Sequence, residues 1–316
     1  MKTVYRQAGR ILKAGTAKPL SSLAMVAALC GASPALAVPI LGVELASFTV
    51  LGGSGVTNVP TSTIVGNVGT WESGGANAVT GFNSSPGVAV ADTQVTGGLV
   101  YSGNTALAQT AQSELTAARN NLSSLGVGTV LSSPDLAGLT LAPGVYTVAA
   151  GTTNLSGALT LDGQGNANAL WVFQMASTLI TSPNAVVNLI NTGANSNAGV
   201  FWNVGSSATI DVNTTFLGNI LALTSITMNT TATDFCGRAL ADVGAVTLDQ
   251  NSLSGTCVGA LAGSNGLSGG GEVVTTPGGG TTITPLPVVR AVPEPATLAL
   301  VGLALAGLGW TRRRHG

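Results

Sequence analysis

Charged and aromatic residues are scarce in this 316-residue chain, at 7% and 4%. Within residues 38–291 the basic residues are Arg119, Arg238 and Arg290, lysine is absent, and the single histidine, His315, lies outside this range. Without a basic surface, the chain is not expected to bind nucleic acid. Without histidine, it lacks the commonest general acid–base residue and metal ligand. We therefore expect no catalytic residues, no cofactor and no metal.

Cysteine is also scarce, with three residues in the chain. Cys30 falls in the N-terminal segment that we predict is removed, which leaves Cys236 and Cys257 as a pair. In an oxidising compartment such a pair predicts a disulfide, which would close a loop of about twenty residues and stabilise the fold by roughly 3 kcal/mol. The alternative is two small buried thiols.

The N-terminus has the pattern of a secretory signal peptide. A basic segment precedes an apolar run at residues 20–32, and Ala35, Leu36 and Ala37 form an A-x-A cleavage site. This predicts a signal peptide over residues 1–37 and a mature chain that starts near Val38. A retained membrane anchor is disfavoured because the run is shorter than the roughly 20 residues that a span needs.

The C-terminus carries a second targeting signal. Val292, Pro293, Glu294 and Pro295 precede an apolar run at residues 296–310 and three consecutive arginines. This order resembles the PEP-CTERM sorting signal of Gram-negative bacteria, and we assign residues 292–316 to it. The resemblance implies passage through the inner membrane, transient membrane insertion of the tail and processing by an exosortase-type enzyme. It places the chain at the cell surface or in the extracellular matrix.

Between the two terminal targeting signals, the sequence divides into a body and a linker. Residues 262–291 are rich in Gly, Ser, Thr and Pro, which predicts a flexible linker after a body at residues 38–261. Apolar residues at steps of three and four predict one helix over about 105–125, ended by Gly126. The rest is typical of short strands separated by turns.

Apolar-Thr-apolar triplets repeat in the second half of the body. Their threonines, Thr209, Thr227 and Thr247, recur about every 18 to 20 residues, and the triplets at 139–141 and 159–161 form an earlier pair. This period predicts a β-solenoid with about three short strands per coil, and a β-sandwich is the alternative. Phe173 and Phe201 are expected in the inward stack.

Side chains alternate along a strand, so the residues between inward apolar ones face outward. The resulting outward array is Thr209, Asp211, Asn213, Thr227, Asn229, Thr231 and Thr247, with Thr63 and Asn67 extending a face nearer the N-terminus. Its rungs would lie about 4.8 Å apart, and threonine is stiff at χ1, so the array can order a layer of water. The alternative is that these residues face solvent and bind nothing.

Several segments in order are similar to those of the microbial ice-binding family. They are residues 41–58, 63–69, 139–146, 170–175, 201–209 and 237–241. The resemblance implies an all-β fold, a discontinuous right-handed parallel β-helix of roughly triangular section with one long α-helix alongside. It also implies a monomer without catalytic activity that adsorbs to ice, or to an ordered water surface, through one flat Thr/Asn-rich face. Some members carry a Thr-Ala/Gly-x-Thr/Asn motif, which residues 80–83 and 192–195 match.

Three other interpretations remain open from the sequence. A structural or adhesive matrix protein fits the C-terminal address and is compatible with ice binding. A polysaccharide-cleaving enzyme requires clustered ionisable groups, and the one local cluster, Asp234 and Asp242 around Arg238, is better explained as a surface ion pair or the rim of a coil. Residues 162–168 alternate oxygen-bearing side chains, but one carboxylate is too few for calcium, so we expect a turn.

Overall fold

The computed structural model describes residues 38–71, 78–148, 151–276 and 280–288. Short strands recur along the chain, and most pair in parallel with a strand one coil away. The predicted signal peptide and sorting tail lie outside the described residues. Among the described residues, no helix combines the length and the apolarity needed to span a bilayer.

The parallel strands form three rows, which we name the triplet face, the helix face and the third face. The triplet face consists of Thr153–Leu155, Leu179–Thr181, Ala208–Ile210, Ile226–Met228, Ala245–Asp249, Gly55–Val59 and Val79–Thr80. The helix face consists of Thr129–Leu131, Gly144–Val148, Leu170–Met175, Gly199–Val204, residues 218–222, residues 237–241, Phe48–Gly52, Asn67–Thr70 and Val100–Ser102. The third face consists of Thr140–Leu141, Ala158–Asp162, Val186–Ile190, the first residues of Thr215–Ala222 and of Thr233–Ala241, Ser252–Ser254, Thr63–Val65 and Val95–Thr96.

Each coil passes through the helix face, the triplet face and the third face in that order. Gly199–Val204, Ala208–Ile210 and the start of Thr215–Ala222 form one such coil. Apolar side chains from all three faces point inward and form one continuous core. The β-solenoid predicted from the triplet period is therefore confirmed, and the sandwich alternative is not.

The coils do not stack in sequence order. Strand Phe48–Gly52 lies between Thr233–Ala241 and Asn67–Thr70, with Val50 opposite Ala239 on one side and Val68 on the other. The N-terminal coils therefore stack onto the C-terminal coil. Helix α1, Ala106–Ser123, then carries the chain from Val100–Ser102 at one end of the stack to Thr129–Leu131 at the other.

Helix α1 lies along the helix face. The side chain of Thr105 caps its N-terminus by accepting a bond from the Ala108 N–H at 3.4 Å, and Gly126 follows its C-terminus at φ 76°. Its buried side chains pack against residues that the solenoid turns outward. On the helix they are Ala108, Ala111, Leu115, Ala118 and Leu122, and on the solenoid Leu51, Val172, Phe201, Leu221 and Leu240. The helix predicted at about 105–125 is confirmed to within two residues.

Four aromatic rings stack through the core. Tyr146, Phe173 and Trp202 come from three successive coils of the helix face, with ring centroids 5.7 and 4.2 Å apart. Phe216, from the third-face side of the same coil as Trp202, lies tilted against it with centroids 5.0 Å apart. Phe173 is in this stack as predicted, but Phe201 is not. It immediately precedes Trp202 on the strand, so it faces the opposite side and packs toward α1.

The C-terminal part of the body is structured where the sequence predicted a flexible linker over residues 262–291. Gly259–Ser264 is a 3-10 helix, and Gly271–Thr275 and Thr281–Pro285 form an antiparallel hairpin that adds Val38–Pro39 as a third strand. Ile283 is 4% exposed and packs with the residues under α1. Composition alone missed Val273 and Ile283, the apolar side chains through which these strands pack with the residues under α1. The linker prediction was wrong for the described residues.

The N-terminal, central and C-terminal parts of the chain meet around Arg238. The Cys236–Cys257 disulfide is formed as predicted. The Arg238 side chain is fully buried, and its guanidinium donates to Asn219 Oδ1 at 2.8 Å and to four backbone carbonyls. These belong to Ala46, Gly255, Asn265 and Gly266. Arg238 thus holds the first and last segments of the body against the coil formed by Thr233–Ala241. The surface ion pair predicted for it was wrong, because the side chain is buried.

Substituting Arg238→Met should lower the free energy of unfolding by at least about 3 kcal/mol, because the Gly255 and Gly266 carbonyls and Asn219 Oδ1 lose a buried donor and two partly buried carbonyls lose theirs. The measurement is chemical denaturation of the secreted protein. Arg119→Met is the matched control, since Arg119 sits at the edge of α1 and forms an ion pair with Asp242 at 2.9 Å. We expect a smaller loss for the control, and equal losses would contradict this role for Arg238.

Asp234 is a buried carboxyl in the same region as Arg238. Burial raises its pKa from 3.8 to about 8, and Arg238 together with the Cys236 and Gly218 backbone N–H groups offsets only part of that effect. The folded protein therefore holds a proton at Asp234 that the unfolded chain releases near pH 4. Its contribution to stability is complete below pH 4 and is lost as the pH rises through about 8.

The free energy of unfolding should fall between pH 5 and pH 8, by up to about 1.4 kcal/mol per pH unit. The carboxyls with lowered pKa values, Asp135, Asp162 and Asp211, stay ionised in this window and add no slope. Asp234→Asn should flatten the profile. Denaturation across the pH series measures both slopes, and a variant slope as steep as that of the native protein would rule out Asp234 as the source.

Candidate functional site

The triplet face carries one continuous column of outward side chains. Backbone pairing places Asn154, Ile180, Thr209, Thr227, Thr247, Thr57 and Thr80 opposite one another in that order. We call this column the ladder. Its last five members are threonines from five successive coils, and the pairing spacing makes that run about 19 Å long.

The hydroxyl groups of the ladder threonines are not used in hydrogen bonds within the described part of the protein. Within the described residues, none of these five hydroxyls forms a hydrogen bond, and the flanking strand residues point inward. Because threonine is stiff at χ1, each methyl and each hydroxyl holds a fixed position. The ladder therefore presents a regular row of methyl groups and free hydroxyls to solvent.

Hydrogen-bonded side chains border the ladder on both sides. On one side Asn229 Nδ2 donates to Asp211 Oδ1 at 2.8 Å, and Asp249 accepts from the Thr230 hydroxyl. The Asn229 bond and the Val212 N–H lower the pKa of Asp211, so this border stays ionised at neutral pH. On the other side the hydroxyls of Thr152 and Thr178 lie 3.0 Å apart. These borders hold the face rigid around the ladder.

The other two faces are less regular. Helix α1 covers the helix face. The third face also has an outward column, which includes Thr215, Thr233 and Ser252, but its sheet shifts register between residues 216 and 218. Phe235, 58% exposed, projects from it. The triplet face has no register shift among its described pairs.

Comparison with known proteins identifies the family. The family described as ice-binding-like matches residues 50–254, and the PEP-CTERM protein-sorting motif matches residues 291–314. The chain belongs to the ice-binding-like family. An ice-binding protein from Nostoc sp. (strain HG1) is 44% identical over 223 residues, which cover 71% of this chain and 76% of that protein.

Solved structures of ice-binding proteins have the same fold. One from an Antarctic biological consortium is 35% identical, with a TM-score of 0.56, over 69% of this chain and 91% of that one. One from the Antarctic ascomycete Antarctomyces psychrotrophicus is 33% identical, with a TM-score of 0.57, over 69% and 98%. The family resemblance found in the sequence is confirmed.

The structure brings together part of the array predicted from the sequence. Thr209, Thr227 and Thr247 share the ladder, and Asp211 and Asn229 form its border. Asn213 and Thr231 hydrogen-bond to each other, but they lie at the corner where the chain leaves the triplet face. Both have positive φ, 56° and 61°, and this left-handed turn takes them off the flat surface.

Thr63 and Asn67 lie on other faces of this ice-binding-like solenoid. Thr63 pairs with Ser252 on the third face. Asn67 is on the helix face, where its side chain bonds Ser47 Oγ at 3.0 Å and the Leu99 N–H at 2.9 Å. The triplets at 139–141 and 159–161 also pair on the third face, with Thr140 opposite Thr160. Grouping these residues by sequence pattern did not identify their face.

Four ladder members were missed from the sequence. Thr57 and Thr80 join the ladder only because the N-terminal coils stack on Ala245–Asp249, a pairing that no local pattern records. Asn154 and Ile180 break the triplet rule, and the separations along this part of the ladder, 26 and 29 residues, fall outside the 18- to 20-residue period. The two matches to the family's loose motif do not form a face: residues 80–83 begin at the last rung and residues 192–195 lie in a loop.

The described part of the chain contains no group of three or more His, Cys, Asp or Glu side chains suited to a metal. At the loop weighed for calcium, Asp162 accepts from the Gln164 N–H and from Asn191 Nδ2, both at 3.0 Å. These bonds lower the pKa of Asp162. The carboxylate therefore caps the turn, as the composition of the loop predicted.

Proposed function

We propose that this chain binds ice through the ladder of the triplet face and has no catalytic activity. The observation that carries the proposal is the in-register run of five threonines, Thr209, Thr227, Thr247, Thr57 and Thr80. Their hydroxyls are free to bond water, and their spacing repeats at about 4.8 Å. Family membership supports the same function, since the named relatives are ice-binding proteins.

The proposed mechanism is adsorption. The free hydroxyls and methyls of the ladder hold water in a repeating arrangement that merges with the ice lattice, so many weak contacts add along the face. Low charge favours this, because an ionised side chain would orient water around itself and disturb the array. Bound protein then pins the growing ice front between adsorption sites.

The proposed winding is right-handed with a roughly triangular section. A right-handed connection is the strong preference for parallel strands joined by a crossover, and the three faces follow one another once per coil. We further propose that the body acts as a monomer outside the inner membrane. The match to the sorting motif supports processing by an exosortase-type enzyme after transient insertion of the tail in the membrane.

A structural or adhesive role in the extracellular matrix is the second candidate. The sorting motif at residues 291–314 favours it, because this motif indicates where the protein is delivered and not what it does there. The two functions are compatible. A body that neither shapes ice crystals nor inhibits recrystallisation would leave only the matrix role.

Thr227→Tyr should lower partitioning of the protein into ice by about tenfold or more, because a bulky side chain mid-ladder lifts its neighbours off the surface. The matched control is Thr215→Tyr, an outward threonine of the preceding third-face strand that pairs with Thr233. Circular dichroism should show both variants folded. Equal partitioning of the two variants would remove the triplet face as the ice-contacting surface.

Ile180→Thr should raise ice affinity modestly, by roughly twofold, since it extends the threonine run to six rungs. Ile180 is 41% exposed, so the change should alter stability by no more than about 0.5 kcal/mol. Partitioning and recrystallisation assays at matched concentrations measure the effect. A variant weaker than the native protein would indicate that Ile180 itself contacts ice.

A further inference from the structure

The Cys236–Cys257 disulfide closes one complete turn of the solenoid. The two cysteines are 21 residues apart, and the chain between them passes through all three faces as residues 237–241, Ala245–Asp249 and Ser252–Ser254. Both cysteine side chains are buried. The bond therefore makes residues 236–257, which we call the closed coil, into a covalent ring.

The closed coil is the surface on which the N-terminal coils stack. Each of its three strands pairs in parallel with one N-terminal strand. Representative partners are Val50 with Ala239, Val56 with Val246 and Ile64 with Leu253. The N-terminal coils therefore need all three sides of the closed coil in position at once.

The last strand of the closed coil has few contacts within its own half of the body. Ser252–Ser254 is three residues long, and on that side it pairs with Thr233 and Asp234. Its other edge pairs with Thr63–Val65, which belongs to the N-terminal coils. Cys257 lies three residues beyond this strand, so the disulfide holds the end of the strand beside Cys236 whether or not the N-terminal coils are present.

Two further contacts join the end of the closed coil to the N-terminal coils. The Gly255 N–H donates to the Val65 carbonyl at 3.0 Å. The Arg238 guanidinium donates to the Gly255 carbonyl at 3.0 Å and to the Ala46 carbonyl at 2.7 Å, so it bridges the two segments. Both contacts depend on the position of Gly255, which lies two residues before the disulfide-bonded Cys257.

The ladder crosses the interface between the closed coil and the N-terminal coils. Thr209, Thr227 and Thr247 lie on one side of it, and Thr57 and Thr80 lie on the other. Thr247 belongs to the closed coil and pairs with Thr57 across the interface. The run therefore contains five threonines when the N-terminal coils are stacked and three when they are not.

We infer that oxidation of Cys236 and Cys257 is the switch that completes the ladder. The two thiols give up two protons and two electrons to a disulfide-bearing oxidant, which leaves as a dithiol. The closed coil formed in this way accepts the N-terminal coils, and with both thiols reduced those coils stay unstacked. Because cytosolic thiols are kept reduced, the complete ladder assembles in an oxidising compartment. The stacking rests on the pairing and the disulfide alone, and only its consequence for ice binding rests on the proposed function.

Hydrogen–deuterium exchange of backbone amides in the secreted protein tests the stacking. In the double variant Cys236→Ala, Cys257→Ala, residues 48–70 and 79–102 should exchange about a hundredfold faster, the factor that closing a loop of about twenty residues contributes. Exchange in the central strands Leu170–Met175 and Gly199–Val204 should be little changed. Unchanged exchange in both sets, an equal increase in both sets, or global unfolding seen by circular dichroism would each overturn the inference.

A second variant disturbs the same interface from its other side. Val56→Asp places a carboxylate at a position that is 1% exposed and pairs with Val246 of the closed coil. It should release the same amides as the double variant while the disulfide remains intact. A different set of released amides would overturn the inference.

Leu179→Ala is the matched control, because Leu179 is fully buried in the central coils, between Thr153 and Ala208. It should speed exchange around Leu179–Thr181 and leave residues 48–70 as in the native protein. If this control released residues 48–70 to the same extent as the double variant, the effect would not be specific to the disulfide and the inference would be overturned.

Ice-affinity partitioning separates this inference from the proposed function. The native, oxidised protein should partition into ice several times more strongly than the double variant, whose ladder lacks Thr57 and Thr80. If the native protein does not partition while the exchange difference holds, the proposed function fails and the stacking inference stands. If the native protein partitions and the double variant keeps native exchange in residues 48–70, the stacking inference fails alone.

Discussion

Parallel backbone pairing between coils is the constraint on which the rest of the structure depends. It places each residue of a strand directly against its counterpart one coil away, so similar side chains become columns. Inward, the columns are apolar and include the aromatic column of Tyr146, Phe173 and Trp202. Outward on the triplet face, the same register aligns five threonines. The core and the candidate ice-contacting surface are therefore two sides of one repeat.

The coils do not stack in sequence order, and specific contacts hold the N-terminal coils against the C-terminal one. Phe48–Gly52 inserts between Thr233–Ala241 and Asn67–Thr70, so the N-terminal coils depend on the C-terminal one. Arg238 bonds carbonyls from both ends of the body, and the Cys236–Cys257 disulfide holds the segment after Ser252–Ser254. Among the described residues, most of the few ionisable side chains form hydrogen bonds or an ion pair that hold the fold together.

Local and periodic features of the structure were predictable from the sequence. The helix, the disulfide pair and the repeat containing Thr209, Thr227 and Thr247 each have a signal within a short window or a fixed period. Long-range stacking has no such signal, so Thr57 and Thr80 were missed. Asn213 and Thr231 were assigned to the face because strand alternation was extended past the strand ends, into left-handed corners. The hairpin at Gly271–Thr275 and Thr281–Pro285 was hidden by a composition typical of linkers.

On the proposed mechanism, the ladder holds water in an arrangement that continues into the ice lattice. Ice-affinity partitioning of the secreted segment 38–288 is the decisive assay, because it reports adsorption without assuming a biological role. The folded protein should be enriched in the frozen fraction relative to an inert protein of similar size and charge. A folded body that is excluded from ice to the same extent as the inert protein would contradict it.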